Sequence, residues 1–232
     1  TVATRNKALD MLRAAFNVAG DEYDLAGWNN PFRKMSDAIT DSKVRYPFAP
    51  SDYRLWWRSL LAWRNDNPEA ALIGLMMMET GSRIYEISHL VVGDLRLDAD
   101  VPHVLVRNNR LRDLKGVIEH PAILFDTLPM LQGYLPSLKS GDPADPVFPR
   151  YSKPKGNTNL SNTMNKRLRA VEGMQIDQLS AYSARHAFKD RGRAAGVDLA
   201  VLDYLMGHKT KQSSVVAQGY GTGYSLSVLK EA

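Results

Sequence analysis

Four short stretches of this chain carry side chains able to grip or attack an anion. The first is Thr80-Gly81-Ser82-Arg83-Ile84-Tyr85-Glu86-Ile87, in which Gly81 is placed to end one helix and Arg83 to open the next. Glu86 lies three residues beyond Arg83 and shares its helix face, so its carboxylate can hold the guanidinium. Alone, that pair reads rather as an ion pair at a helix end. In the second stretch, Tyr182-Ser183-Ala184-Arg185-His186-Ala187-Phe188, Arg185 stands near the start of an amphipathic helix that buries Phe188. Helix N-termini favour anions, and a guanidinium offers phosphate oxygens a two-pronged fork. The third, Leu205-Met206-Gly207-His208, stops a helix at Gly207 and leaves His208 on a loop. The fourth, Gln218-Gly219-Tyr220-Gly221, sets a tyrosine between glycines near the C-terminus. A lone loop histidine is ordinarily solvated, and a tyrosine between glycines is ordinarily a turn.

The elements around these stretches follow from apolar spacing. Leu9, Leu12, Phe16 and Ala19 predict a first helix, weakened at Gly20 and followed by the turn signal Asn29-Asn30-Pro31. No apolar period holds from Ser36 to Pro50, which reads as a linker. Ser51 or Asp52 then caps a helix through Trp56, Trp57, Leu60, Leu61 and Trp63, whose tryptophans read as packing rather than stacking platforms. Glu69 to Glu79 is apolar on most faces, predicting a buried helix in which Met76, Met77 and Met78 are packing material. Three β-type segments follow, near 90–97, 104–108 and 117–124, with a turn over 109–116 that contains Lys115. Helices are predicted near 128–138, 159–171, 183–195 and 199–206, with Gly196 and Gly207 at helix ends. Helices, a small sheet and helices again make the fold class α+β.

Composition narrows the chemistry. The chain has 232 residues, enough for one large domain or a domain plus a fragment, and it begins without Met or an apolar leader, as a piece of something longer would. No run of about 18 apolar residues is present to span a membrane. There is no cysteine, which removes disulfides, thiolate metal sites and cysteine nucleophiles and fits a reducing compartment. The five histidines are scattered, without metal-ligand spacing, so a metal nuclease ranks last. Net charge is +5, and between Arg150 and Arg193 ten basic residues face three acidic ones. That stretch is either a solvated basic face or a surface that tracks phosphates.

In order, Thr-Gly-x-Arg-x-x-Glu, a turn lysine, Arg-His, Leu-x-Gly-His and a final Tyr resemble the tyrosine recombinases and phage integrases. The resemblance runs from about Pro47 to the C-terminus. It implies a mostly helical catalytic domain with a small three-stranded antiparallel sheet, at 47–232. It also implies a C-terminal remnant of the preceding core-binding domain plus linker, at 1–46. By the same resemblance Arg83 and Arg185 clamp the scissile phosphate, and Glu86 supports Arg83. Lys115 is the general acid for the leaving 5′-hydroxyl, His208 bonds the phosphate or packs near the nucleophile, and His186 is structural support. Tyr220 is the nucleophile, with Tyr224 a second candidate. The family usually has histidine where this chain has Tyr182, which can donate to a phosphate oxygen. A free phenol titrates near about 10 and is a poor proton acceptor, so the general base is left open. Leu226, Val228 and Leu229 would anchor a C-terminal tail on a neighbouring protomer.

The implied activity is site-specific recombination of double-stranded DNA through a covalent 3′-phosphotyrosine, by a homo-tetramer on DNA. It needs neither cofactor nor metal and no membrane, and it acts in the cytoplasm of a bacterial or phage-infected cell. Cations aimed at the phosphorane do the electrostatic work, and the phosphotyrosine stores the energy of the cut bond for rejoining. Two alternatives stand: a type IB topoisomerase-like relaxing enzyme, which uses the same chemistry, and a DNA-binding module that has lost activity, for which Tyr182 is the warning sign.

Overall fold

The computed structural model describes residues 2–23, 27–38, 44–114, 118–138, 141–208 and 224–232. Lys115 and Tyr220 lie outside them. The chain divides into two compact units, Thr1–Val44 and Arg45–Ala232.

In the first unit, helix α1 (Val2–Glu22) continues through Gly20, where the helical pattern weakens in the sequence. The reason is packing: a Cβ at Gly20 would collide with the Trp28 ring, so glycine lets the following turn close onto the helix. Phe16 stacks on Trp28 and meets Phe32 edge-on. Asn30 is buried and fixes the turn, donating to Arg13 O at 2.8 Å and accepting from Phe32 N–H at 2.9 Å.

The second unit begins with extended residues that bury Phe48, so the expected linker reaches into the core. Helix α2 (Pro50–Trp63) is capped by Ala49 rather than Ser51 or Asp52. Pro50 occupies the first turn, and Asp52 accepts the Ala49 N–H at 3.0 Å. Trp56 and Trp63 are core residues, while Trp57 packs partly buried against Tyr53. Helix α3 (Pro68–Thr80) has Asn67 as its N-cap, and all residues from Ala70 to Met78 are buried. Being apolar all round, it forms the axis of the core, with α2, α5 and α6 around it.

The short helix α4 (Ile84–Ser88) leads into the sheet of β1 (Leu95–Arg96), β2 (His103–Val106) and β3 (His120–Ile123). Its order is β1-β2-β3, antiparallel throughout, with Val106 paired to His120 and Val104 to Ala122. The first strand is shorter than expected because Val91 bridges Pro146 and Val92–Asp94 winds into a 3-10 turn. Helices α5 (Leu128–Tyr134), α6 (Gly156–Arg169), α7 (Ser183–Ala194), α8 (Leu199–Leu205) and α9 (Leu226–Glu231) complete the unit. Gly196 and Gly207 take positive φ just past α7 and α8, as their positions suggested. The expected tail anchors behave differently from the implied arrangement. Leu229 is buried in this chain's own cluster with Val101, Ile123, Val201 and Leu205, whereas Val228 is 45% exposed.

Candidate active site

Helix α3 ends at Gly81 in the left-handed conformation, φ 66°, and its N–H bonds Met77 O. A Cβ there would stand 2.5 Å from the Phe188 ring, so glycine serves both the turn and the close approach of α7. Thr80 and Ser82 fasten the turn through a 2.8 Å hydroxyl contact. The chain leaves it extended at Arg83, the residue that caps α4.

Glu86 then does what its spacing suggested, and more. One oxygen accepts the Arg83 N–H and the other the Arg83 guanidinium, both at 2.6 Å. Its carboxylate also lies 3.8 Å from Arg185, which approaches from α7. Arg185 is 2% exposed, but its position is crowded with acceptors. It donates to Gly81 O and Met206 O at 2.6 Å each and to His208 Nε2 at 2.7 Å. Burial and the neighbouring Arg83 push its pKa down from the ordinary arginine value. The structure thus brings Arg83, Glu86, Arg185 and His208 together from three separate segments.

His208 is oriented from behind. Its Nδ1 faces Asp203 Oδ1 at 3.2 Å, and that carboxylate also accepts from Lys189 at 2.7 Å. Since Nε2 accepts from Arg185, Nδ1 carries the ring proton. Burial lowers the His208 pKa, and the arginines add to that against the pull of Asp203. Burial works to raise the Asp203 pKa, but the bonds from Lys189 and His208 outweigh it and the result is lowered.

Tyr182 is 42% exposed and acts electrostatically on Arg185. His186 is exposed and lies edge-on to Tyr182 at 5.2 Å, so it supports that ring rather than the buried cluster. Tyr224 packs edge-on against Tyr204 of α8. A cleft of about 470 Å³ lined by Trp57, Phe125, Phe188, Arg191 and Leu229 contains none of the clustered residues. Charge, not concavity, marks this site.

Sequence reasoning missed two contributors. Asp203 stands five residues before His208, on the last turns of α8, and only the fold reveals its reach. Arg112 has a fully buried side chain paired with Asp94 at 3.3 Å. It also donates to Arg107 O at 2.9 Å, Leu105 O at 3.3 Å and the backbone carbonyl of Glu86. Arg107 and Asn109 bond the same Asp94, so the turn that leads to Lys115 is locked onto α4.

The α+β unit with its small three-stranded antiparallel sheet is the fold that the comparisons match. A family model described as the Phage integrase family matches residues 58–220, and the chain belongs to that family of tyrosine recombinases and integrases. No curated protein sequence matches the chain. Among solved structures it is similar to the integrase of the Tn1549 transposon in complex with transposon right end DNA, with a TM-score of 0.57 and 19% identity over 97% of this chain and 76% of that one. XerA recombinase gives a TM-score of 0.55 at 17% identity, over 95% of this chain and 72% of that one. A lambda integrase tetramer bound to a Holliday junction gives 0.60 at 16% identity, over 89% and 58%.

Proposed function

We propose that this chain is the catalytic part of a site-specific recombinase that cleaves and rejoins double-stranded DNA through a 3′-phosphotyrosine at Tyr220. The observation that carries the reading is the buried carboxylate of Glu86, which holds Arg83 at 2.6 Å and stands 3.8 Å from Arg185. Arg83 keeps 31% of its side chain exposed, so one prong of the clamp faces incoming DNA while the other is set in the core. Two guanidiniums against one carboxylate leave one positive charge uncompensated, and a phosphodiester supplies the missing anion. As attack builds a second negative charge on the non-bridging oxygens, those donors bind it more strongly than the ground state, and that difference lowers the barrier. Lys115 gives a proton to the leaving 5′-oxygen and takes it back on rejoining. Exposed Lys153, Lys155, Lys166 and Arg169 on and before α6 provide a phosphate-tracking surface.

Similarity to recombinases solved on DNA, one of them a tetramer on a Holliday junction, supports DNA as the substrate and a homo-tetramer as the working assembly. The first unit is read as the end of a core-binding domain, and the place of action is the cytoplasm, where such DNA is found. The test is incubation with a nicked suicide duplex carrying the attachment site of its own element, in EDTA, followed by a denaturing gel. A covalent protein–DNA adduct that Arg83→Ala and Arg185→Ala abolish is the expected result. DNA binding with no adduct from any form would leave a binding module in place of an enzyme.

A further inference from the structure

Behind the arginine clamp lies a second charged pair. Asp203 of α8 uses one oxygen, Oδ1, for two partners: it lies 3.2 Å from His208 Nδ1 and accepts from Lys189 of α7 at 2.7 Å. Although burial works the other way, the bonds from Lys189 and His208 hold the Asp203 carboxyl below its ordinary value, so it is ionised and can only accept. Nδ1 of His208 therefore keeps its proton in either charge state of the ring. That leaves Nε2 with two roles, chosen by one proton. In the neutral ring it is bare and takes the Arg185 N–H at 2.7 Å; it can donate only as part of an imidazolium.

Arg83 and Arg185 against Glu86 leave one positive charge, whereas Lys189 against Asp203 leaves none. The side chains of Arg83 and His208 each keep 31% exposure, so both are open to an incoming anion. A phosphate oxygen beside a bare Nε2 meets a lone pair; a proton there turns repulsion into a charge-assisted hydrogen bond. Because Lys189 already balances Asp203, that proton adds a full positive charge to the cluster. Among the described residues, the influences on the ring oppose one another. Burial disfavours the imidazolium most, Asp203 of α8 favours it, and Arg185 of α7 and Arg83 ahead of α4 disfavour it, which leaves the free ring neutral near neutral pH. Lys189 acts through Asp203. On β3, joined to Gly207 O by the Ile118 N–H at 3.4 Å, the titratable ring is His120, whose own pKa is lowered by burial.

We propose that Asp203 is a positioning residue that makes His208 a proton-linked phosphate donor, an assignment that rests on reading the arginine cluster as the phosphate site. It pins Nδ1–H, and when a phosphodiester enters it stabilises the imidazolium, so DNA binding draws a proton from solvent onto Nε2. The Arg185 N–H released from Nε2 turns to the phosphate, while its bonds to Gly81 O and Met206 O stay. When DNA leaves, the proton returns to solvent and Nε2 accepts from Arg185 again.

The test follows the ring itself. Nitrogen-15 NMR of the histidine-labelled chain, with His208 assigned by its loss in His208→Gln, gives tautomer and titration midpoint for the parent, Asp203→Asn and Lys189→Met. Asparagine keeps an oxygen for both partners and removes only the charge, which separates orientation from electrostatics. The expected free ring is protonated at Nδ1 and bare at Nε2 near neutral pH. Its midpoint should fall in Asp203→Asn and rise in Lys189→Met, where the carboxylate has no other cation to satisfy. A purely structural Asp203 would not give shifts of opposite sign. Calorimetry of binding to a duplex carrying the attachment site of its own element, in two buffers of unlike ionisation heat, then counts protons. Near neutral pH the parent should take up about one proton more than His208→Gln, and Asp203→Asn should lose that excess. A free ring protonated at Nε2, midpoint shifts of the same sign, duplex binding without excess uptake, or uptake that persists in Asp203→Asn overturns the assignment. If Asp203→Asn fails to fold, the Lys189→Met midpoint and the parental excess over His208→Gln decide, and the absence of either overturns it. Failure of every form to bind the duplex refutes the phosphate reading, and this assignment with it, even where the free ring titrates as expected.

Discussion

Arg185 Nη1 lies 3.8 Å from Glu86 Oε2, and each of these side chains is only 2% exposed. The same carboxylate binds Arg83 twice, so one buried anion positions both guanidiniums and balances only one of them. Removing it leaves an uncompensated buried cation. Glu86→Gln is therefore expected to lose about 3–5 kcal/mol of stability, the usual consequence of breaking a buried pair. Single-turnover cleavage should fall about a hundred- to a thousand-fold, since a phosphate donor loses its orientation. Thermal melting and adduct kinetics measure the two; an unchanged rate would show that the clamp does not depend on Glu86.

Arg112 joins the turn before Lys115 to α4 through Asp94 and the Glu86 carbonyl. Arg112→Met should slow cleavage of ordinary DNA and regain much of the rate on a 5′-bridging phosphorothiolate. A defect in placing the proton donor is bypassed by a sulfur leaving group, whereas a defect in phosphate binding is not. Equal loss on both substrates would make Arg112 a purely structural residue.

Burial lowers the pKa of His89, His120 and His208. Between those folded values and the ordinary value of about 6.5 the unfolded chain binds more protons, so stability is complete above that range and drains as pH falls through it. The melting temperature should drop between about pH 7 and about pH 5, and His120→Phe should flatten part of that slope. A melting temperature constant across the window would contradict the buried neutral rings.

How much of this was legible in the sequence depends on the range of the interaction. Arg83 and Glu86 are one helical turn apart, so their pairing could be read from spacing, as could the burial of Met76 to Met78 on an all-apolar helix. The glycines after α7 and α8 were legible because only local backbone geometry places them. The meeting of Arg185 with Gly81, Met206 and His208 depends on how α7 crosses α3 and α8, which no local period encodes; the motif order implied, by resemblance, only that Arg83, Arg185 and His208 serve one phosphate. Asp203 and Arg112 lie outside those motifs. The reason for Gly20 was not legible because the Trp28 ring that explains it comes from the following turn, and the strand expected from residue 90 gave way to a 3-10 turn held by Pro143 and Asp145.

Gly81 tests the backbone side of the account. With φ at 66° and the Phe188 ring 2.5 Å from a built Cβ, Gly81→Ala combines left-handed strain with overpacking. The strain alone costs about 1–2 kcal/mol. Denaturant unfolding should show at least that loss, and a neutral effect would mean that α7 is free to shift away from α3.

The central claim is that Tyr220 forms the covalent bond to DNA. The direct measurement is adduct formation on the nicked suicide duplex by the parent chain, Tyr220→Phe and Tyr224→Phe, with the trimmed nucleotide located by tandem mass spectrometry. The account predicts an adduct from the parent and Tyr224→Phe, none from Tyr220→Phe, and a phosphonucleotide on Tyr220. An adduct that survives in Tyr220→Phe, or one carried by Tyr224, would contradict it.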